Sequence, residues 1–142
     1  MEFRPGTMDD FPEALSLIRA LWTANTYEEA PTRAVYERVL ADPDSFLFFL
    51  EDDGEIVGMC HGAYFETFWM CGLTCYVSSL ITRKDLRCRG YGKAMLEHAE
   101  ELARAKGCRA IILDSAFFRT EAHAFYEHNG FAKDCYSFEK LL

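Results

Sequence analysis

The sequence predicts an α/β (α+β) domain of three layers, a central twisted mixed sheet with helices on both faces. Three observations predict it. Two amphipathic stretches follow a short first strand. A pair of apolar runs then folds back through Asp52-Asp53-Gly54-Glu55. Beyond them, strand-like and helix-like segments alternate to the end of the chain. Residues 1–142 suit one ordinary domain, and a chain that is 50% apolar and 15% aromatic has enough to bury in a core.

Phe3-Arg4-Pro5 reads as the first strand. Thr7 offers an N-cap hydroxyl, with Asp9 and Asp10 in the first turn of a helix whose Phe11, Ala14, Leu15, Ile18, Leu21 and Trp22 share one face. Thr32 is the expected cap of a second helix carrying Val35, Val39 and Leu40, which stops before Asp42-Pro43. Ser45 to Glu51 and Ile56 to Tyr64 form the hairpin. The apolar, β-branched stretch Cys71 to Thr82 is a further strand. Gly92 to Lys106 returns to helical spacing through Met95, Leu96, Ala99, Leu102 and Ala103, with Gly107 as its stop. A short strand over Ala110–Leu113, a helix from Thr120 to Asn129 and a closing strand over Tyr136–Leu141 complete the expected order β-α-α-β-β-β-α-β-α-β.

The segment between the strand ending at Thr82 and the helix after Gly92 carries the chemistry. Arg83, Lys84, Arg87, Arg89 and Lys93 are five of the chain's 15 basic residues, gathered at one helix start in a chain of net charge -8. The first N–H groups of a helix lack internal partners and hold the positive end of its dipole. Gly90 and Gly92 let the backbone approach a ligand closely. A basic, glycine-opened helix start is an anion site, although short glycine motifs also make plain turns.

The overall acidity argues against a nucleic-acid partner, which needs a Lys/Arg surplus on some face. It is compatible with a cationic small molecule, although an ordinary solvated surface accounts for it more simply. No apolar run approaches the roughly 20 residues that cross a bilayer. Met1-Glu2-Phe3-Arg4-Pro5 has no secretory apolar stretch, so a cytoplasmic location without membrane attachment is expected. The six cysteines (60, 71, 75, 88, 108 and 135) have no metal-site spacing, so reduced thiols and no metal are expected.

Arg87-Cys88-Arg89-Gly90-Tyr91-Gly92-Lys93 resembles the acyl-CoA pyrophosphate loop of the GNAT superfamily of N-acetyltransferases, of pattern Q/R-x-x-G-x-G/A. Phe125-Tyr126-Glu127-His128-Asn129-Gly130-Phe131 is similar to the family's F-Y-x-x-x-G-F block, and Phe3-Arg4-Pro5-Gly6-Thr7-Met8-Asp9-Asp10 to its usual opening. Ala122-His123-Ala124-Phe125-Tyr126 and the ending Tyr136-Ser137-Phe138-Glu139-Lys140-Leu141 look closest to aminoalkylphosphonate and aminoglycoside-type small-molecule N-acetyltransferases.

The resemblance implies acetyl-CoA as co-substrate and a small-molecule amine as acceptor. Acetylation of a protein or peptide amine, or a non-catalytic acyl-CoA sensor, are the alternatives, and a homodimer is left open. It implies that backbone groups of Leu80, Ile81 and Thr82 pair with pantetheine while the loop from Arg87 to Lys93 holds the pyrophosphate. Tyr126 falls at the position of the family's general acid, which protonates the departing thiolate. Many relatives carry a Glu where this chain has Ser79, after Ser78. A serine needs activation to accept a proton, so either Ser78 or Ser79 holds a relaying water, or the base lies elsewhere, with Glu66 a candidate. Arg119 replaces an Asn common in relatives, with Thr120 as the substitute cap. His123 reads as a surface or packing residue. Tyr27, Phe65, Phe68, Trp69 and Met70 could wall an acceptor pocket or be plain core.

Overall fold

The computed structural model describes all 142 residues. They divide into two compact units, Met1–Ile112 and Leu113–Leu142.

The first unit holds a five-stranded sheet: β1 (Glu2–Pro5), β2 (Ser45–Asp52), β3 (Glu55–Thr67), β4 (Gly72–Thr82) and β5 (Ala110–Ile112), side by side in that order. The first three pairings are antiparallel and β4 to β5 is parallel, the mixed sheet that the sequence predicts. Asp53 (φ 51) and Gly54 (φ 79) both lie in the left-handed region at the β2–β3 turn, as a tight two-residue hairpin requires.

Helices α1 (Phe11–Leu21) and α2 (Glu29–Ala41) cover one face of this sheet. Their Phe11, Ala14, Leu15, Leu17 and Tyr36 pack with Phe49, Met59 and Ile81 from three strands. Helix α3 (Tyr91–Lys106) covers the other, its Met95 reaching the backbone at Gly58 and its His98 stacked on Phe3 at 4.1 Å. Strand residues alternate between faces. On β3, Met59 and His61 therefore turn toward the α1–α2 side, and Cys60, Gly62, Tyr64 and Glu66 toward the α3 side.

Local chemistry explains the helix ends, with two changes from expectation. Thr7 does begin the first helical segment, but as the cap of a single 3-10 turn, Met8–Asp10, that leads into α1. Asp10 accepts from the Thr7 N–H and hydroxyl at 2.8 Å each and is held by Arg4 at 2.7 Å. That pairing lowers the Asp10 carboxyl to about 2. Thr32 does not cap α2. The helix starts at Glu29, and the Thr32 hydroxyl donates instead to the Glu28 carbonyl at 2.6 Å. The side chain α2 buries is Tyr36, donating to the Thr7 carbonyl at 2.8 Å, while Val35 stays exposed. Gly107 (φ 91) ends α3 as expected, with the Cys108 N–H reaching back to Ala103.

The second unit contains α4 (Thr120–His128) and otherwise irregular chain. The expected closing strand over Tyr136–Leu141 is absent: residues 131–142 hold neither helix nor strand. Tyr136 and Phe138 alternate as a strand would, yet both are exposed, as is Leu141. Alternation marks a strand only when a neighbour supplies the ladder and a core covers one face.

Candidate active site

Two features of the sheet make the site in the first unit. The parallel pairing of β5 to β4 covers only Thr74, Cys75 and Tyr76. From Val77 to Thr82, β4 has a partner on the β3 side alone. Alternate residues there turn N–H and C=O groups toward the vacated side, an edge able to pair with an extended ligand. Leu80, Ile81 and Thr82 lie on this stretch, with the Ile81 side chain buried in the α1–α2 core, so only main chain is on offer from it.

The second feature is a β-bulge. His61 pairs with Ser79 and Gly62 with Val77, which leaves Ser78 as an extra residue in β4. The bulge falls just where β5 has left the sheet. It brings Ser78 Oγ within 2.6 Å of His61 Nδ1, while Ser45 Oγ of β2 lies 3.4 Å from Nε2. Burial pulls the His61 pKa below the ordinary 6.5, and the opposing field of Asp42 is weaker. Ser79 is buried, with 8% exposure, and it is Ser78 rather than Ser79 that holds the ring. Glu66 is exposed, five residues along β3 from His61 and on the opposite face, which takes it away from the bulge.

Beyond Thr82 the chain makes a 3-10 turn, Lys84–Leu86, and enters α3. Arg83 is committed to the scaffold, bonded to Asp85 at 2.8 Å and Glu55 at 2.9 Å. Lys93 faces Glu97 at 3.7 Å on the exposed helix surface. Cys88 (φ 63) and Gly90 (φ 87) both take the left-handed conformation as the chain turns into α3. For Cys88 that conformation costs roughly 1–2 kcal/mol, strain of the kind that clusters at ligand clamps. No atom lies within 4 Å of where a β-carbon on Gly90 would stand, so the mouth of the helix is open. Tyr91 anchors the helix start by donating to Asp52 at 2.6 Å.

Tyr126 sits half-buried on α4, its ring 5.3 Å from Phe125 and 5.9 Å from Phe131. It lines a cavity of about 550 Å³ within the second unit, with Ser115, His123, Glu127, Phe131 and Tyr136. The Ser115 hydroxyl is buried there without a hydrogen-bond partner. His123 lies 2.9 Å from the Ala116 carbonyl through Nε2, a loop-fixing contact. Arg119 precedes the first turn of α4 without a side-chain cap bond, and Thr120 is the first helical residue rather than the cap. Phe68 and Trp69 are exposed at the β3–β4 turn, so neither is core.

The vacated strand edge, the bulge and the glycine-opened helix start follow one another along the chain from Val77 to Lys93. The acetyltransferase (GNAT) family pattern matches residues 11–131, and the chain belongs to that family. It is an acetyltransferase by class.

An uncharacterised N-acetyltransferase of Bacillus subtilis (strain 168) is 34% identical over 95 residues. That match spans 66% of each chain, just under two thirds of the relative's length. The aminoalkylphosphonate N-acetyltransferase of Salmonella typhimurium (strain LT2) is 26% identical over 141 residues, covering 99% of this chain and 91% of its own. A crystal structure of a transcriptional regulator from Bacillus halodurans C-125 shares the fold, with TM-score 0.90 at 22% identity over 99% of both chains. No helix is long and apolar enough to cross a membrane.

Sequence reasoning missed His61. The signal was present: a lone histidine in an apolar strand and the doublet Ser78-Ser79 breaking the period of the next one.

Proposed function

We infer that this protein transfers an acetyl group from acetyl-CoA to the primary amine of a small molecule. The observation that carries the reading is the continuity of the vacated β4 edge, Val77–Thr82, with the basic, glycine-opened start of α3. A pantetheine amide chain suits an unpaired strand edge, and a pyrophosphate suits the helix mouth beyond it. Arg87, Arg89 and Lys93 supply charge around that mouth. Backbone N–H groups along the edge would polarise a thioester carbonyl, and the family motif puts Tyr126 forward as the acid for the leaving sulfur. The relationship to an aminoalkylphosphonate N-acetyltransferase supports a small, charged amine as acceptor.

Thiol release from acetyl-CoA across a panel of amines is the test. Aminomethylphosphonate, an aminoglycoside and a lysine-bearing peptide represent the three acceptor classes. Release with either small amine, and none beyond background with the peptide, is the expected result. Selective release with the peptide would move the acceptor to protein. No release from a protein that still binds acetyl-CoA would favour the sensor reading.

A further inference from the structure

We propose that His61 takes the proton from the acceptor amine, through the hydroxyl of Ser78, in the acetyl transfer inferred above. The proposal rests on that reading. It fills the place left by the absence of a carboxylate at residue 79.

The geometry comes from two strands and one irregularity. In a regular ladder, Ser78 and Ser79 would point to opposite faces. The bulge removes Ser78 from the register and turns its hydroxyl to the side where His61 stands, at 2.6 Å from Nδ1. An O–H···N contact that short is a good hydrogen bond. A neutral ring protonated on Nε2 satisfies both neighbours, accepting at Nδ1 from Ser78 and directing its own N–H toward Ser45, 3.4 Å away. Ser45 thereby supports the tautomer that a base at Nδ1 needs.

Position supports the same role. Ser78 is two residues past Tyr76, the last residue of β4 that β5 covers. A thioester lying along the vacated edge would pass the bulge, and an amine attacking it would meet the Ser78 hydroxyl. The half-buried ring is kept neutral by its surroundings. The neighbouring strands present it with serine hydroxyls, and the charged group that acts on it is Asp42, at the end of α2. The opposing hypothesis is that Ser45, His61 and Ser78 merely satisfy one another inside the sheet. That would give no reason for any of them to affect turnover.

The step balances. The amine arrives as an ammonium ion and gives one proton to Ser78 Oγ as the serine proton moves to Nδ1, leaving imidazolium. The nitrogen lone pair then forms the C–N bond to the acetyl carbon, and the C–S bond breaks with its electron pair on sulfur. Of the two protons the nitrogen loses, one leaves through His61 to solvent, and the other is matched by the proton the sulfur gains.

The test is the pH dependence of kcat with acetyl-CoA and the best amine of the panel, for wild type, His61→Gln and Ser78→Ala. Wild type should lose activity as pH falls, with an acid limb below 6.5, because the neutral ring is the active form and its pKa is lowered. His61→Gln should lose roughly tenfold to a hundredfold in kcat, less than the full range for a positioned base because the Ser78 hydroxyl can still pass a proton to water. Its KM for acetyl-CoA should hold, and that acid limb should vanish. Ser78→Ala keeps the ring in place and should reproduce both effects, which a packing role for His61 does not predict. Wild-type turnover with full rate and an unchanged acid limb in both variants would overturn the relay alone. Wild type without thiol release on any amine would overturn the transfer reading and the relay with it.

Discussion

Tyr126→Phe is expected to lower kcat roughly 10²–10⁴-fold while leaving acetyl-CoA affinity within about twofold, the range a positioned proton donor contributes. Phenylalanine keeps the ring that packs against Phe125 and Phe131, so the helix face retains its contacts. What disappears is one hydroxyl. The departing sulfur must gain a proton, and the phenol is the group that the family motif assigns to supply it. A purely structural Tyr126 would behave differently: the phenylalanine variant would turn over at the wild-type rate and differ slightly in thermal midpoint. Steady-state kinetics with a validated amine, beside a calorimetric titration with CoA, separates the two outcomes. Unchanged turnover would remove Tyr126 from the mechanism.

Gly90→Asp should weaken acetyl-CoA binding by about a hundredfold, close to 2.7 kcal/mol. Two effects add. At φ 87 the backbone strains a residue that carries a β-carbon, and the new carboxylate stands in the open mouth of α3 where a pyrophosphate would sit. Gly107→Asp is the control. Its φ of 91 imposes similar strain at the far end of the same helix, in equally open space. Calorimetry should show normal affinity for Gly107→Asp and lost affinity for Gly90→Asp. Equal affinity in Gly90→Asp and wild type would dissociate the loop from the ligand.

Local signals made much of the fold legible. The Asp53-Gly54 turn, the 3.6-residue period of α3 and its glycine stop depend on neighbours within a few residues, and each stands where the sequence put it. The glycine turn that opens α3 at Gly90 was readable for the same reason. Arg83 was counted with the basic cluster at that helix start, but pairing with Glu55, which lies far away in sequence, commits it elsewhere. The Tyr136–Leu141 pattern resembled a strand, but strands exist by partnership, which a pattern does not reveal. The bulge at Ser78 is the same kind of fact. It is a property of how β4 registers on β3, and it changes which serine meets His61. Features set by local geometry were therefore legible, and the His61–Ser78 contact, set by cross-strand register, was not.

An amide-resolved NMR titration of the wild-type protein with acetyl-CoA tests the central claim most directly. Shifts concentrated at Val77–Thr82 and Arg87–Lys93, saturating in the micromolar range, are the predicted result. No saturable shifts, or shifts confined to other parts of the chain, would contradict it.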